Sequence, residues 1–123
     1  MRTFNIEGGL TSPQVFIDES KRIVEITGNS TLPNTNWFYG NLLKWILAFN
    51  LGESQTKTVN IRLQKMNRSS SKWITLIFNQ VKNLIPTSNF EINWYFDQNN
   101  QNLLNFGHYL KNQSRSKVNI HMN

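Results

Sequence analysis

Hydrophobic and polar residues alternate in the first part of the chain, a pattern of period two that predicts half-buried strands. Phe4 and Ile6 form one short alternating stretch of the kind found in edge strands. Two runs rich in β-branched residues, PQVFID and RIVEIT, come next, and the residues ESK between them predict a β-hairpin. We therefore predict a short strand followed by a hairpin.

The spacing of apolar residues changes to three and four in three later segments, which predicts amphipathic helices. The first runs from Thr35 to about Asn50, the second covers SKWITLIFNQVKNLI, and the third covers NNQNLLNFGHYLKN. Gly52 and Pro86 are the predicted ends of the first two helices. The first helix is apolar on more than one face, so either it is deeply covered or its outer face meets a partner.

Further strands are predicted between and after these helices, in the segments KTVNIRLQKM, FEINWYFD and KVNIHM. The order of elements is then β, ββ, α, β, α, β, α, β. Strands that alternate with helices favour parallel pairing through right-handed crossovers, while the hairpin adds an antiparallel pair. We predict an α/β fold with a single mixed sheet of five to six strands and three helices, in one domain over residues 1–123.

The composition limits the classes of function. The chain has no cysteine, so a disulfide framework and a thiolate metal site are excluded. The N-terminus lacks a signal-peptide core, and no apolar run approaches the roughly 20 residues of a membrane helix, so we predict a cytoplasmic protein without a membrane partner. Thirteen Lys and Arg against seven Asp and Glu give a net charge of +6, but they form no basic block, and we expect scattered charge.

The segment MNRSSSKW, residues 66–73, places three serines between two cations at the predicted start of the second helix. A helix start exposes unpaired N–H groups and the positive end of the helix dipole, so Ser69, Ser70 or Ser71 suits the N-cap position. A cap explains one serine but not three. The alternative is a phosphorylation site, where N–H groups and the flanking arginine and lysine hold a phosphate.

Four blocks of the chain carry a wider resemblance: TSPQVFID, then Gly28 with FYGNLLKWI ten residues on, then MNRSSSKW, then NWYFDQNNQNLLNFG. Together they resemble the SiaC family of bacterial regulatory phosphoproteins, whose fold is similar to that of anti-sigma-factor antagonists (STAS-like). Family sequences have NTSSSK where this chain has NRSSSK, and the spacing within and between the blocks is kept. The resemblance extends over almost the whole chain.

The resemblance implies a non-enzymatic switch without a cofactor. A serine/threonine kinase phosphorylates a threonine in the family's NTSS turn, and a metal-dependent phosphatase removes the phosphate. The unphosphorylated protein binds and activates a diguanylate cyclase, which raises cyclic-di-GMP and biofilm formation. The matching switch residues are Arg68, Ser69, Ser70 and Ser71, and the candidate partner-binding residues are Asn67, Lys72, Trp37, Tyr39, Leu43 and Asp97.

The chain departs from the family pattern at three places. The family's phosphorylated threonine falls on Arg68, which has no hydroxyl; the acidic stretch after WYYD has become QNNQN, residues 98–102; and an arginine of the family's GRS turn matches Asn29. Phosphorylation at the usual position is therefore impossible. The chain is either a switch that cannot be turned off, one that uses a neighbouring serine, or one with a different partner.

We predict no catalytic and no metal site. His108 and His121 have no Cys, Asp or Glu at ligand spacing, and a triad of Ser70, His108 and Asp97 has no nucleophile-elbow sequence to support it. The aromatic residues near several basic side chains leave one alternative function, a basic domain that binds nucleic acid or an anionic surface. We rank that alternative below a protein partner, because the sequence contains no nucleic-acid-binding signature.

Overall fold

The computed structural model describes residues 3–50, 57–84, 90–113 and 117–123. Gly52 and Pro86, the predicted helix ends, lie outside these ranges. The strands are β1 (Thr3–Ile6), β2 (Gln14–Asp18), β3 (Ile23–Ser30), β4 (Lys57–Met66), β5 (Phe90–Phe96) and β6 (Lys117–Met122). The helices are α1 (Thr35–Asn50), α2 (Arg68–Leu84) and α3 (Gln101–Gln113).

The six strands form a single sheet in the order β1-β2-β3-β4-β5-β6. The pairs β1–β2 and β2–β3 are antiparallel, and β3, β4, β5 and β6 are parallel to one another. The register aligns Ile26, Ile61 and Trp94 across three neighbouring strands. The prediction of an α/β fold with a mixed sheet and three helices is confirmed.

The core lies between one face of this sheet and the helices. Right-handed crossovers between successive parallel neighbours place all three helices on the same face. In β4, Val59, Ile61 and Leu63 are buried there, while Asn60 and Arg62 point the other way. The residues of α1 and α2 that meet this face include Tyr39, Leu42, Ile46, Ile74, Ile77 and Phe78.

The opposite face of the sheet is polar. Glu25, Asn60, Asn93 and Asn119 lie at one register on four adjacent strands. Their amides form a ladder, since Asn93 Nδ2 donates to Asn60 Oδ1 at 2.9 Å and Asn119 Nδ2 donates to Asn93 Oδ1 at 3.0 Å. The ladder satisfies side-chain polar groups across the strands and leaves this face without a hydrophobic layer.

Most of the second apolar face of α1 is covered from within the protein. Leu43, Trp45 and Leu47 pack against the core, and the Trp45 ring lies 4.6 Å from the ring of Phe4 in β1. Trp37 is the exception, with 70% of its surface exposed. The sequence left two alternatives for α1, a deeply covered helix or an outer face that meets a partner. Burial within the protein accounts for the apolar residues beyond the first turn, and Trp37 in the first turn is left exposed.

Candidate functional site

The carboxyl ends of β3, β4 and β5 lead into α1, α2 and α3, so the three helices start at one edge of the sheet. In open α/β sheets this edge is where binding sites gather. We call it the helix-start edge. It contains the candidate residues Trp37, Asn67, Arg68, Ser69, Ser70, Ser71, Lys72 and Asp97, while Leu43 lies further along α1.

An asparagine caps each of the three helices. The Oδ1 atoms of Asn34, Asn67 and Asn100 accept hydrogen bonds from the backbone N–H three residues on, at 3.4, 2.9 and 3.1 Å respectively. Each bond satisfies one of the unpaired donors of a helix start. The prediction that a serine caps α2 is wrong, because Asn67 occupies the cap and the three serines follow inside the first turn.

Asn67 also joins the start of α2 to the end of β3. Its Nδ2 donates to the Leu32 carbonyl at 3.0 Å, and its backbone N–H donates to the Ser30 carbonyl at 2.9 Å. Sequence reasoning assigned Asn67 only to partner binding. Asparagine is a preferred cap residue, so its position three residues before Ser70 was the available signal.

A buried chain of hydroxyls connects β3, α1 and α2. Ser30 Oγ donates to Ser70 Oγ at 2.8 Å, and Ser70 Oγ donates to the Ser30 carbonyl at 3.0 Å. Since the Ser30 proton is used in this way, the short hydrogen bond between Ser30 and Tyr39 has the Tyr39 hydroxyl as donor. The hydroxyls of Ser30, Tyr39 and Ser70 are thus all hydrogen-bonded to one another or to the backbone. Ser70 holds the start of α2 against β3.

Burial changes the roles expected for Tyr39 and Ser70. Both side chains are fully buried. Burial also raises the pKa of Tyr39 above its ordinary value, which agrees with a protonated hydroxyl that donates to Ser30. We therefore remove Tyr39 from the candidate partner-binding residues and Ser70 from the candidate phosphorylation sites, because neither side chain has any exposed surface in this fold.

The other two serines differ in exposure. Ser69 is exposed, and its Oγ makes one long contact of 3.4 Å to Asn67 Oδ1. Ser71 is half-buried, and its Oγ donates to the Arg68 carbonyl at 2.7 Å. Arg68 and Lys72 are both exposed beside them. Ser69 is thus the serine of the three whose hydroxyl is most available at the surface.

The remaining candidate residues surround this turn. Trp37 projects from the first turn of α1. Its neighbour Asn36 accepts a hydrogen bond from Trp73 Nε1 at 2.8 Å, which ties the starts of α1 and α2 together. Asp97 is exposed after β5, and its Oδ1 accepts from Asn123 Nδ2 at 3.0 Å. Leu43 is half-buried against the core, so it offers a partner little surface.

Arg62 and Arg68, two of the basic residues behind the nucleic-acid alternative, lie on different parts of the protein. Arg62 lies 3.6 Å over the Tyr95 ring on the polar face of the sheet, and His121 stacks on Tyr95 at 4.7 Å from the neighbouring strand. Both faces of that ring are therefore occupied within the protein, whereas base stacking needs a free face. Arg68 belongs to the helix-start edge instead.

The described residues contain no cluster of three or more His, Cys, Asp or Glu that could hold a metal ion. None of the described helices has the length and apolar character needed to cross a membrane.

The cap can be tested by replacing Asn67 with alanine. We expect the free energy of unfolding to fall by about 2 kcal/mol, since the change removes the cap and the bond to the Leu32 carbonyl. Urea unfolding followed by circular dichroism measures the loss. The matched control is Asn102→Ala on the exposed side of α3, where stability should stay the same or rise slightly. Equal losses in both variants would contradict the capping role.

The fold and the helix-start edge define a class of small α/β proteins that have three helices on one face of a mixed sheet and a polar opposite face. The sequence model of the SiaC family regulatory phosphoproteins matches residues 6–123. The chain therefore belongs to the SiaC family. No curated protein sequence matches it.

Solved structures agree on the fold. SiaC of Pseudomonas aeruginosa is 18% identical, with all of both chains covered and a TM-score of 0.87. A chain in the crystal structure of the diguanylate cyclase SiaD in complex with its activator SiaC, from the same organism, is 17% identical, with 98% of this chain and 99% of that chain covered and a TM-score of 0.88. The crystal structure of apo-SiaC gives 16% identity and a TM-score of 0.84.

Proposed function

We propose that this chain is a non-enzymatic regulator that binds and activates a diguanylate cyclase, under the control of a serine/threonine kinase and a metal-dependent phosphatase. The observation that carries the proposal is the match over 98% of the chain to a chain of a complex between a diguanylate cyclase and its activator. Membership of a family of regulatory phosphoproteins supports the control by phosphorylation. A cytoplasmic location stays a prediction from the sequence.

We place the partner-binding surface at the helix-start edge, around Trp37, Asn67, Lys72 and Asp97. Trp37 is exposed, and tryptophan is among the residues that dominate the binding energy of protein interfaces. The capping and the bond between Trp73 and Asn36 hold this surface in a fixed shape before any partner arrives.

The test measures binding and activation of a diguanylate cyclase from the organism that carries this gene. Trp37→Ala should weaken binding at least about tenfold and reduce activation in parallel. The control is Leu76→Ala, which removes another exposed apolar side chain, more than two turns into α2, and should leave binding within about twofold. No binding by the unmodified protein would refute the proposed function, and equal weakening by both variants would refute the surface.

We further propose Ser69 as the position where a kinase adds phosphate. Its hydroxyl is exposed, and Arg68 and Lys72 flank it on the surface of the same helix. A phosphate there would bring nearly two negative charges to a helix start that now carries two cations. It would thereby reverse the charge that a partner meets at this edge.

Incubation with the cognate kinase and ATP, followed by mass spectrometry, tests this site. The unmodified protein and Ser71→Ala should each gain one phosphate, and Ser69→Ala should gain none. Phosphate that persists in Ser69→Ala would refute Ser69 as the acceptor. An unchanged mass for the unmodified protein, together with one phosphate on Arg68→Thr, would identify a switch that cannot be turned off.

A further inference from the structure

Charge is segregated between the helices and the rest of the chain. The three helices contain five of the thirteen Lys and Arg and none of the seven Asp and Glu. They therefore account for +5 of the net charge of +6. The cations themselves are spread over the helices at about the density of the whole chain, and the excess of positive charge on this layer comes from the absence of acids in α1, α2 and α3, which cover the same face of the sheet.

A groove of about 530 Å³ lies on this basic layer between α2 and α3. Its α2 wall has two cations and two hydroxyls, and its α3 wall has two aromatic rings: Arg68, Ser71, Lys72, Thr75, Phe106 and Tyr109. The Phe106 and Tyr109 rings stack at 5.9 Å, and Tyr109 is 45% exposed. Within the described part of the chain, no carboxylate forms an ion pair with Arg68 or Lys72.

We propose that this groove binds an acidic segment of a protein partner, whose carboxylates pair with Arg68 and Lys72 while an apolar side chain packs on Tyr109. The proposal rests on the proposed function, since it names the chemistry by which the regulated partner is recognised. Arginine binds carboxylates through two parallel hydrogen bonds, and the three helices carry no Asp or Glu that would compete for Arg68 and Lys72.

The shape of the groove favours a polypeptide over other anions. The groove is open to solvent, whereas small-molecule sites enclose most of their ligand. A nucleic-acid strand needs a track of cations along its backbone. Arg68 and Lys72 are four residues apart on α2, so they are neighbours on one face of the helix. Two neighbouring cations can pair with one or two carboxylates of a peptide whose apolar side chain packs nearby.

The first test needs no knowledge of the partner. A short labelled peptide of glutamates around one phenylalanine is titrated against the full chain, with fluorescence anisotropy for affinity and NMR shift mapping for location. The shifts should centre on Lys72, Phe106 and Tyr109. Oligothymidylate and the same peptide with lysine in place of glutamate serve as comparison ligands. Tighter binding of either one, or no binding of the acidic peptide, would overturn the proposal.

Matched charge reversals locate the effect. Lys72→Glu should weaken the affinity for the acidic peptide about tenfold. The fold should persist, because a glutamate suits the start of a helix. Lys21→Glu makes the same change of net charge on an exposed residue of the β2–β3 turn, at the opposite edge of the sheet, and should change affinity less than about twofold. Equal weakening by both variants would reduce the binding to general attraction and refute the site.

The same variants separate this inference from the proposed function. A diguanylate cyclase that binds the unmodified protein and Lys72→Glu equally well would refute the groove and leave the function standing. A cyclase that does not bind at all would refute the function, and the acidic-peptide titration would still show whether the groove binds acidic segments.

Tyr109→Ala should weaken binding of the acidic peptide without changing the salt dependence of that binding, because the variant removes an apolar contact and no charge.

Discussion

Replacing Gly107 with alanine is expected to lower the free energy of unfolding by about 3 kcal/mol. A Cβ at this position would lie 2.6 Å from Cδ1 and 2.9 Å from Nε1 of Trp94. Trp94 cannot move away easily, because it is fully buried and its Nε1 donates to the Leu103 carbonyl at 2.9 Å. The clash would push α3 off the sheet. Guanidinium unfolding followed by tryptophan fluorescence measures the change.

Gly40 in α1 provides a control of the opposite sign. A Cβ there would lie 4.0 Å from Cη2 of Trp73, which is ordinary van der Waals contact. Gly40→Ala should therefore stabilise the protein by about 0.5–1 kcal/mol, the usual gain from replacing glycine inside a helix. A stabilising Gly107→Ala would show that α3 does not pack on Trp94 as described.

A second large effect is expected at the serine turn. Ser70→Asp should destabilise the protein by about 4 kcal/mol or more, because it places a carboxylate among the buried hydroxyls of Ser30 and Tyr39. Ser69→Asp, one residue earlier, should leave stability unchanged or slightly higher, since an acid in the first turn suits the helix dipole. Thermal unfolding of the two variants gives the comparison.

The same pair bears on the switch. In Ser69→Asp the fold persists and binding to a diguanylate cyclase should fall, because negative charge now lies beside Arg68. Any loss of binding in Ser70→Asp should instead follow its loss of folded protein. If Ser70→Asp is as stable as Ser69→Asp, the buried hydroxyl chain is not a structural link, and Ser70 returns as a candidate for phosphorylation.

The elements of the fold could be predicted from local patterns. Alternation in KTVNIRLQKM predicted a strand that the structure places at Lys57–Met66, and the apolar spacing after Thr35 predicted α1. The alternation of strands and helices was enough for the α/β class and the mixed sheet, since crossover rules leave few other topologies. These features depend on residues that are close in sequence.

The residue that caps α2 could not be chosen from local patterns. Asn67 and the serines after it are all good cap residues, so propensity alone does not separate them. The end of β4 and the Ser30 carbonyl decide between them, because they fix where the chain turns and which N–H groups remain unpaired. The helix then begins one residue before the first serine.

Tertiary structure alone decided which residues of the site are available. Tyr39 and Trp37 look alike as aromatic residues of one helix, yet one is fully buried and the other is 70% exposed. Ser69 and Ser70 are adjacent, yet Ser70 bonds to a residue 40 positions earlier in the chain. Sequence by itself determined the elements, the class and the family resemblance, because these follow from local periodicity and motif spacing. The buried hydroxyls and the basic groove depend on contacts between distant elements, which no local pattern encodes.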